Sequence, residues 1–168
     1  LIKLSKALGQ KSDYFFRPRK IEIGEVEFRK KSSLSSKKSN AIAEQVHVRL
    51  ENYIALEDLL SIESMFVNPL GDFLVQSFQD VEDAVNKLRE TWEIGFDPIL
   101  NIVELLESKE VKVLEIDIEL NDFDGMATYV DDVYPVVVVN KNFPIERKRF
   151  TLLHELGHLL LNFFEGIS

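Results

Sequence analysis

The chain has 168 residues, of which 45% are hydrophobic and 29% charged, enough for one good core or two small units of an ordinary soluble protein. With no cysteine it has neither disulfides nor thiolate metal sites, and with no apolar run near the roughly 20 residues of a membrane span and no visible signal peptide it is expected in the cytoplasm. The net charge of -9 is uneven: residues 1–38 carry eleven Lys/Arg against four Asp/Glu, and residues 39–168 carry nine against twenty-five. A basic head on an acidic body suits a nucleic-acid-facing end joined to a body that avoids nucleic acid; a solvated lysine-rich linker is the bland alternative.

In chain order, residues 1–8 read as the end of a helix stopped near Gly9, and residues 12–16 as a short capped turn. Residues 21–28 alternate as a strand with a break at Gly24, and residues 30–39, rich in serine and lysine, read as linker or helix approach. A long amphipathic helix is expected over about 38–62, with Ile42, Val46, Leu50, Tyr53, Ile54 and Leu60 on its apolar side. His47 lies on that helix and reads as a boundary residue rather than a metal ligand. The turn Asn68-Pro69-Leu70-Gly71 is a candidate boundary. A second helix over about 80–93 carries Val81, Val85, Leu88 and Trp92 in register and stops at Gly95. Asp97-Pro98 is expected to open a third helix to about Ser108, the Asp as cap and the Pro in the first turn. Strands follow at 111–118, 125–130 and 135–140, the last with four consecutive valines, and short polar connections allow an antiparallel meander.

The last helix, 145–164, starts near Pro144 and is apolar on several sides, so it is expected to be buried nearly all round. It contains His154-Glu155-Leu156-Gly157-His158, which matches H-E-x-x-H. Helical residues four apart share a face, so His154 and His158 can aim at one ion. Glu155 can then reach a metal-bound water and take its proton; zinc lowers that water's pKa to roughly 7. A glycine inside a helix costs about 1 kcal/mol relative to alanine, so a neighbouring strand is expected to approach the backbone at Gly157. The plain alternative is a core helix with two hydrogen-bonded histidines. Arg147, Lys148 and Arg149 read as a solvated face, with an acidic partner or the acidic body of the chain as the other reading. Tyr129 and Tyr134 are near enough in sequence to be considered as oxyanion stabilisers, no more.

A catalytic zinc normally has three protein ligands and an open position. Only two are identifiable, and the chain stops ten residues after His158. Glu165, the only carboxylate downstream, would lie about 10 Å along a continued helix, too far to share the metal. With no methionine at Leu1, the chain reads as a fragment at both ends, its third ligand beyond Ser168.

Residues 149–161, Arg-Phe-Thr-Leu-Leu-His-Glu-Leu-Gly-His-Leu-Leu-Leu, resemble the central signature of the ImmA/IrrE-type metallopeptidase family. Leu88 to Gly95 followed by Asp97-Pro98-Ile99 resembles that family's helix-to-helix junction, and Asp124-Gly125-Met126 and Val137-Val138-Val139-Asn140 resemble its strands. The head, Ile2 to Gly9 through Asp13-Tyr14-Phe15-Phe16, resembles the tail of a Cro/repressor-type (XRE) helix-turn-helix domain. The first resemblance covers about residues 80–164. It implies His154 and His158 as zinc ligands, Glu155 as general base, and an acidic third ligand on a following helix that has no counterpart here. It also implies a substrate that is a repressor with a helix-turn-helix domain.

The expected fold is therefore α+β and zincin-like, a small three-stranded, mainly antiparallel sheet packed on the H-E-x-x-H helix and truncated at the C-terminus. Residues 1–20 would be a helix-turn-helix remnant, 21–70 a connecting strand and long helix, and 71–168 the N-terminal part of a peptidase domain. The leading function is a Zn2+-dependent endopeptidase of a transcriptional regulator, cleaving a repressor or antitoxin-like protein, with DNA bound through the mostly missing N-terminal domain. The fragment itself would be inactive if its third ligand is missing. The alternative is a non-catalytic helix-turn-helix transcription factor whose zincin-like domain senses a metal or binds a partner.

Overall fold

The computed structural model describes residues 2–7, 11, 21–22, 36–119 and 123–163. The turn expected at 12–16, most of the strand expected at 21–28, and Glu165 lie outside them. The short helix α1 spans Ile2–Ala7, and the long helix α2 spans Ser36–Leu60. Then come β1 (Leu74–Val75), α3 (Phe78–Thr91), α4 (Ile102–Ser108), β2 (Lys112–Ile116), β3 (Gly125–Val130), β4 (Tyr134–Asn140), α5 (Ile145–Leu160) and β5 (Asn162–Phe163). The class is α+β, as the sequence implies. No helix among the described residues is long and apolar enough to cross a membrane.

The three-stranded sheet has the order β2-β4-β3 and is mixed rather than a meander. β3 and β4 form an antiparallel hairpin, whereas β2 runs parallel to β4 with Val113 opposite Val137. The connection after β2 carries the chain past β4 to its far side. Asn140 fastens that connection: its side-chain amide donates to the carbonyls of Ile118 and Phe123. The valine run of β4 is central and wholly buried, as its apolar monotony requires.

Strand alternation sorts the core into two layers. Val113, Ala127, Val137 and Val139 face α3, α4 and α5; Leu114, Ile116, Met126, Val136 and Val138 face α2 through Ile42, Val46, Leu50 and Ile54. Leu60 instead lies exposed, where α2 has run past the sheet. Lys112 and Arg49 tie α2 to β2, Lys112 by its Nζ to Glu57 at 2.6 Å and Arg49 by its Nη1 to the Glu115 carbonyl at 2.7 Å.

Three helix ends differ from expectation. α3 ends at Thr91, four residues before Gly95: Ile94 N–H donates to the Arg89 carbonyl and Glu93 N–H to that of Glu90, and Glu93 takes the left-handed position with φ 56°. α4 starts at Asn101, whose side chain accepts from Glu104 N–H, rather than at Asp97. The intervening carbonyls are taken by arginines: Arg89 donates to Gly95 and Asp97, and Arg149 to Ile99 and Leu100. α5 stops at Leu160 rather than 164, because the chain turns extended and pairs β5 in parallel with β1.

Candidate metal centre

α5 lies across β3 and β4 with Thr151, Leu152, Glu155, Leu156, Leu159 and Leu160 buried. It is not buried all round: Ile145, Phe150 and Leu153 are exposed, and so is His158. The helix end is held by two side chains that the sequence suggested in other roles, Tyr129 beside the site and Asn68 in a turn. Tyr129 donates its hydroxyl to the Leu159 carbonyl and Asn68 its amide to the Leu160 carbonyl, each at 3.2 Å. Both satisfy carbonyls that the end of a helix otherwise leaves without partners.

The one-turn spacing does bring the two imidazoles together. Nε2 of His154 and Nε2 of His158 are 3.2 Å apart, with the rings edge to face. Two nitrogens at about 2.0–2.1 Å from one tetrahedral zinc are about 3.3 Å apart, so the pair fits that ion as two of its ligands. The Phe150 ring, one turn earlier, lies nearly parallel to that of His154 with centroids 6.0 Å apart. Among the described residues no third histidine or carboxylate completes a group of three.

Glu155 points the other way, towards the sheet, and is buried. The place where a strand meets the helix is Gly125, not Gly157. A Cβ at Gly125 would stand 2.5 Å from Thr151 Cγ2, 2.7 Å from the Val138 carbonyl and 3.5 Å from Glu155 Cγ. Only a glycine lets β3 pass this close to Thr151 and Glu155. At Gly157 an added Cβ would meet nothing within 4 Å, so the expected close approach is absent there. An isolated glycine in a strand pattern is the signal that would have located it.

Residues 106–166 match the family model of the IrrE N-terminal-like domain, Peptidase_M78. The matched stretch is a little over a third of the chain and runs from the end of α4 through the sheet and α5. It supports the ImmA/IrrE family for this segment and, at that level, a peptidase-type function. No curated protein and no solved structure matches the chain.

The other residues weighed from sequence fall away from the pair. His47 is buried on α2, its Nε2 3.2 Å from Glu51. Tyr129 is committed to the Leu159 carbonyl, and burial raises its pKa, so it is a helix cap rather than an oxyanion donor. Tyr134 stands over the Lys112 ammonium on the α2 side, and its pKa is raised by burial and by nearby Asp58 and Glu57. The basic run at the start of α5 is not a solvated face: Arg147 pairs with Asp124, Lys148 with Glu115, and Arg149 with the loop carbonyls before α4. Acidic side chains of the chain itself are the partners of Arg147 and Lys148, which offsets their unfavourable place near a helix N-terminus.

Proposed function

We propose that this chain is the peptidase part of a transcriptional regulator, zinc-dependent and directed at a repressor or antitoxin-like protein. His154 and His158 would hold the zinc and Glu155 would act as general base. The observation that carries the reading is the 3.2 Å separation of the two Nε2 atoms on a helix whose next residue face buries a glutamate. A bound zinc would supply Lewis acidity, bringing a water's pKa to about 7 and polarising a carbonyl.

The chain's own residues supply the rest. Glu155, its Cγ packed close to Gly125, would accept a proton at its carboxylate and later return it to the departing amine. Among the described residues β3 is an edge of the sheet, where an extended peptide could pair with its backbone. The third ligand would come from residues outside the described set. We further read residues 1–20 as the tail of a DNA-binding helix-turn-helix, 21–70 as the connection and 71–168 as the peptidase segment of a cytoplasmic protein.

The test is Glu155→Gln, incubated with a candidate helix-turn-helix repressor as substrate. Zinc should stay at the wild-type level while cleavage falls at least a hundredfold. Undiminished cleavage would remove Glu155 from its role.

A further inference from the structure

Helix α2 keeps one side on the sheet, through Ile42, Val46, Leu50 and Ile54, and turns the opposite side outward. At 3.6 residues per turn, Ala41, Gln45, Val48, Asn52, Ala55 and Leu59 run along the middle of that outer side. All are exposed except Val48, which is half-buried, and Leu59 is 79% exposed. Their spacing alternates between four and three residues, as the a and d positions of successive heptads do. Four of the six are apolar and none is charged. Single apolar residues are ordinary on a surface, but a stripe that keeps one helix face over about five turns is a contact surface.

Two further features say what covers the stripe. Asn52 stands at an a position in its middle, and an asparagine placed there pairs with its own counterpart, fixing register and favouring two strands. The second feature is charge. One flank, the g positions, carries Glu44, Glu51 and Asp58; the other, the e positions, carries Arg49 and Leu56, with Ile42 turned to the core. In a parallel pair of identical helices each g residue meets the partner's e residue five places on. Glu44 then meets Arg49 on both sides of the seam, and Glu51 meets Leu56. In an antiparallel pair the acidic g flanks would face and repel each other. Arg49 gives Nη1 to the Glu115 carbonyl at 2.7 Å, and its guanidinium has further donors for a carboxylate.

We propose that the outer face of α2 is a dimer seam, on which a second copy of this chain lays the same helix in parallel and in register. A free coiled coil of this length is marginal, but α2 is already held as a helix by its core face, so pairing does not have to form it. Parallel packing brings the basic heads of both copies, residues 1–38, in at one end of the pair. Antiparallel packing would separate them by the length of the 25-residue α2, roughly 35–40 Å. Two basic ends on one side suit a two-fold nucleic-acid site. The helices α2 and α5 cover opposite faces of the sheet, so the seam leaves the histidine pair uncovered and stands without the peptidase reading.

Sedimentation equilibrium of the 168-residue chain, from about 1 to 100 µM, should reach twice the mass of one chain at the upper end. Val48→Glu and Ala55→Glu each set a carboxylate against its own copy across the seam. Both should raise the dimer Kd at least tenfold with the circular dichroism spectrum unchanged, and Ala55→Glu, on an exposed position, keeps the test valid if Val48→Glu does not fold. The chain has no cysteine, so orientation is read by cross-linking. On oxidation, Ala41→Cys and Leu59→Cys should each form a disulfide-linked dimer alone; an antiparallel pair would link them only when the two are mixed. A monomer throughout the range would overturn the proposal and leave the stripe to a different protein. A dimer that withstands both glutamate variants, or a disulfide that forms only in the mixture, would overturn it as well.

Discussion

Gly125 and Glu155 show how much a single position decides. Glu155 is buried against a strand that can approach only because the strand residue has no side chain, with the nearest would-be contacts at 2.5 and 2.7 Å. One of those contacts is a backbone carbonyl in the centre of the sheet and cannot move aside. Gly125→Ala should therefore cost about 1–3 kcal/mol in urea unfolding, as overpacking does. A loss under about 0.5 kcal/mol would mean that α5 is not seated as described. The histidine pair was legible in the sequence, because the periodicity of a helix alone puts residues four apart on one face. The role of Gly125 was not read: a strand glycine signals a close approach, but the sequence does not say which neighbour across the layer approaches it. Gly157 misled for the same reason: a helix glycine suggests close approach, and here it borders open space instead.

At the scale of elements, α3 is the one whose start is most fully specified. Ser77 and Asp80 form a capping box, with Asp80 accepting from Gln76 N–H and Ser77 N–H at 2.8 Å each. These donors, Gln76 foremost, hold the Asp80 carboxyl below its ordinary pKa of 3.8. Because folding lowers this pKa, the stabilisation is fully present above the ordinary value and is lost as pH falls through the folded one. The acid limb of the unfolding profile should therefore be shallower in Asp80→Asn: the stability gap between the two proteins holds above about pH 4 and closes as pH drops below it. Identical acid limbs would contradict the cap. The sequence showed where helices and strands lie but not all their ends. Asp97-Pro98 has the chemistry of a helix start, yet Arg89 and Arg149 take the carbonyls of 95, 97, 99 and 100, and the helix waits until Asn101. Such long-range donors leave no local signal. The direction of β2 was equally hidden, because an apolar run reads alike whichever way it is paired.

For the whole molecule, the question is what joins α2 to the layer that carries the metal centre. The Lys112 ammonium, nearly buried, meets Glu57 and sits 4.8 and 5.0 Å from the ring centroids of Tyr53 and Tyr134. Removing Glu57 would leave a charge without its counter-ion inside the protein. Glu57→Ala should lose about 3–5 kcal/mol, and Lys112→Met combined with Glu57→Leu should recover most of it. A loss under about 1 kcal/mol would show that α2 is held by its apolar stripe alone. That stripe, Ile42 to Ile54, was readable from helical spacing, whereas the ion pair joins residues 55 apart and was not. The centre itself remains the decisive matter, since two imidazole nitrogens 3.2 Å apart suit either one zinc or a hydrogen-bonded pair. The direct test is zinc per chain, by plasma mass spectrometry, in intact protein purified without chelator beside His158→Ala. The prediction is close to one zinc per chain, abolished by the substitution. Little or no zinc in the intact protein, even after zinc is supplied, would contradict it.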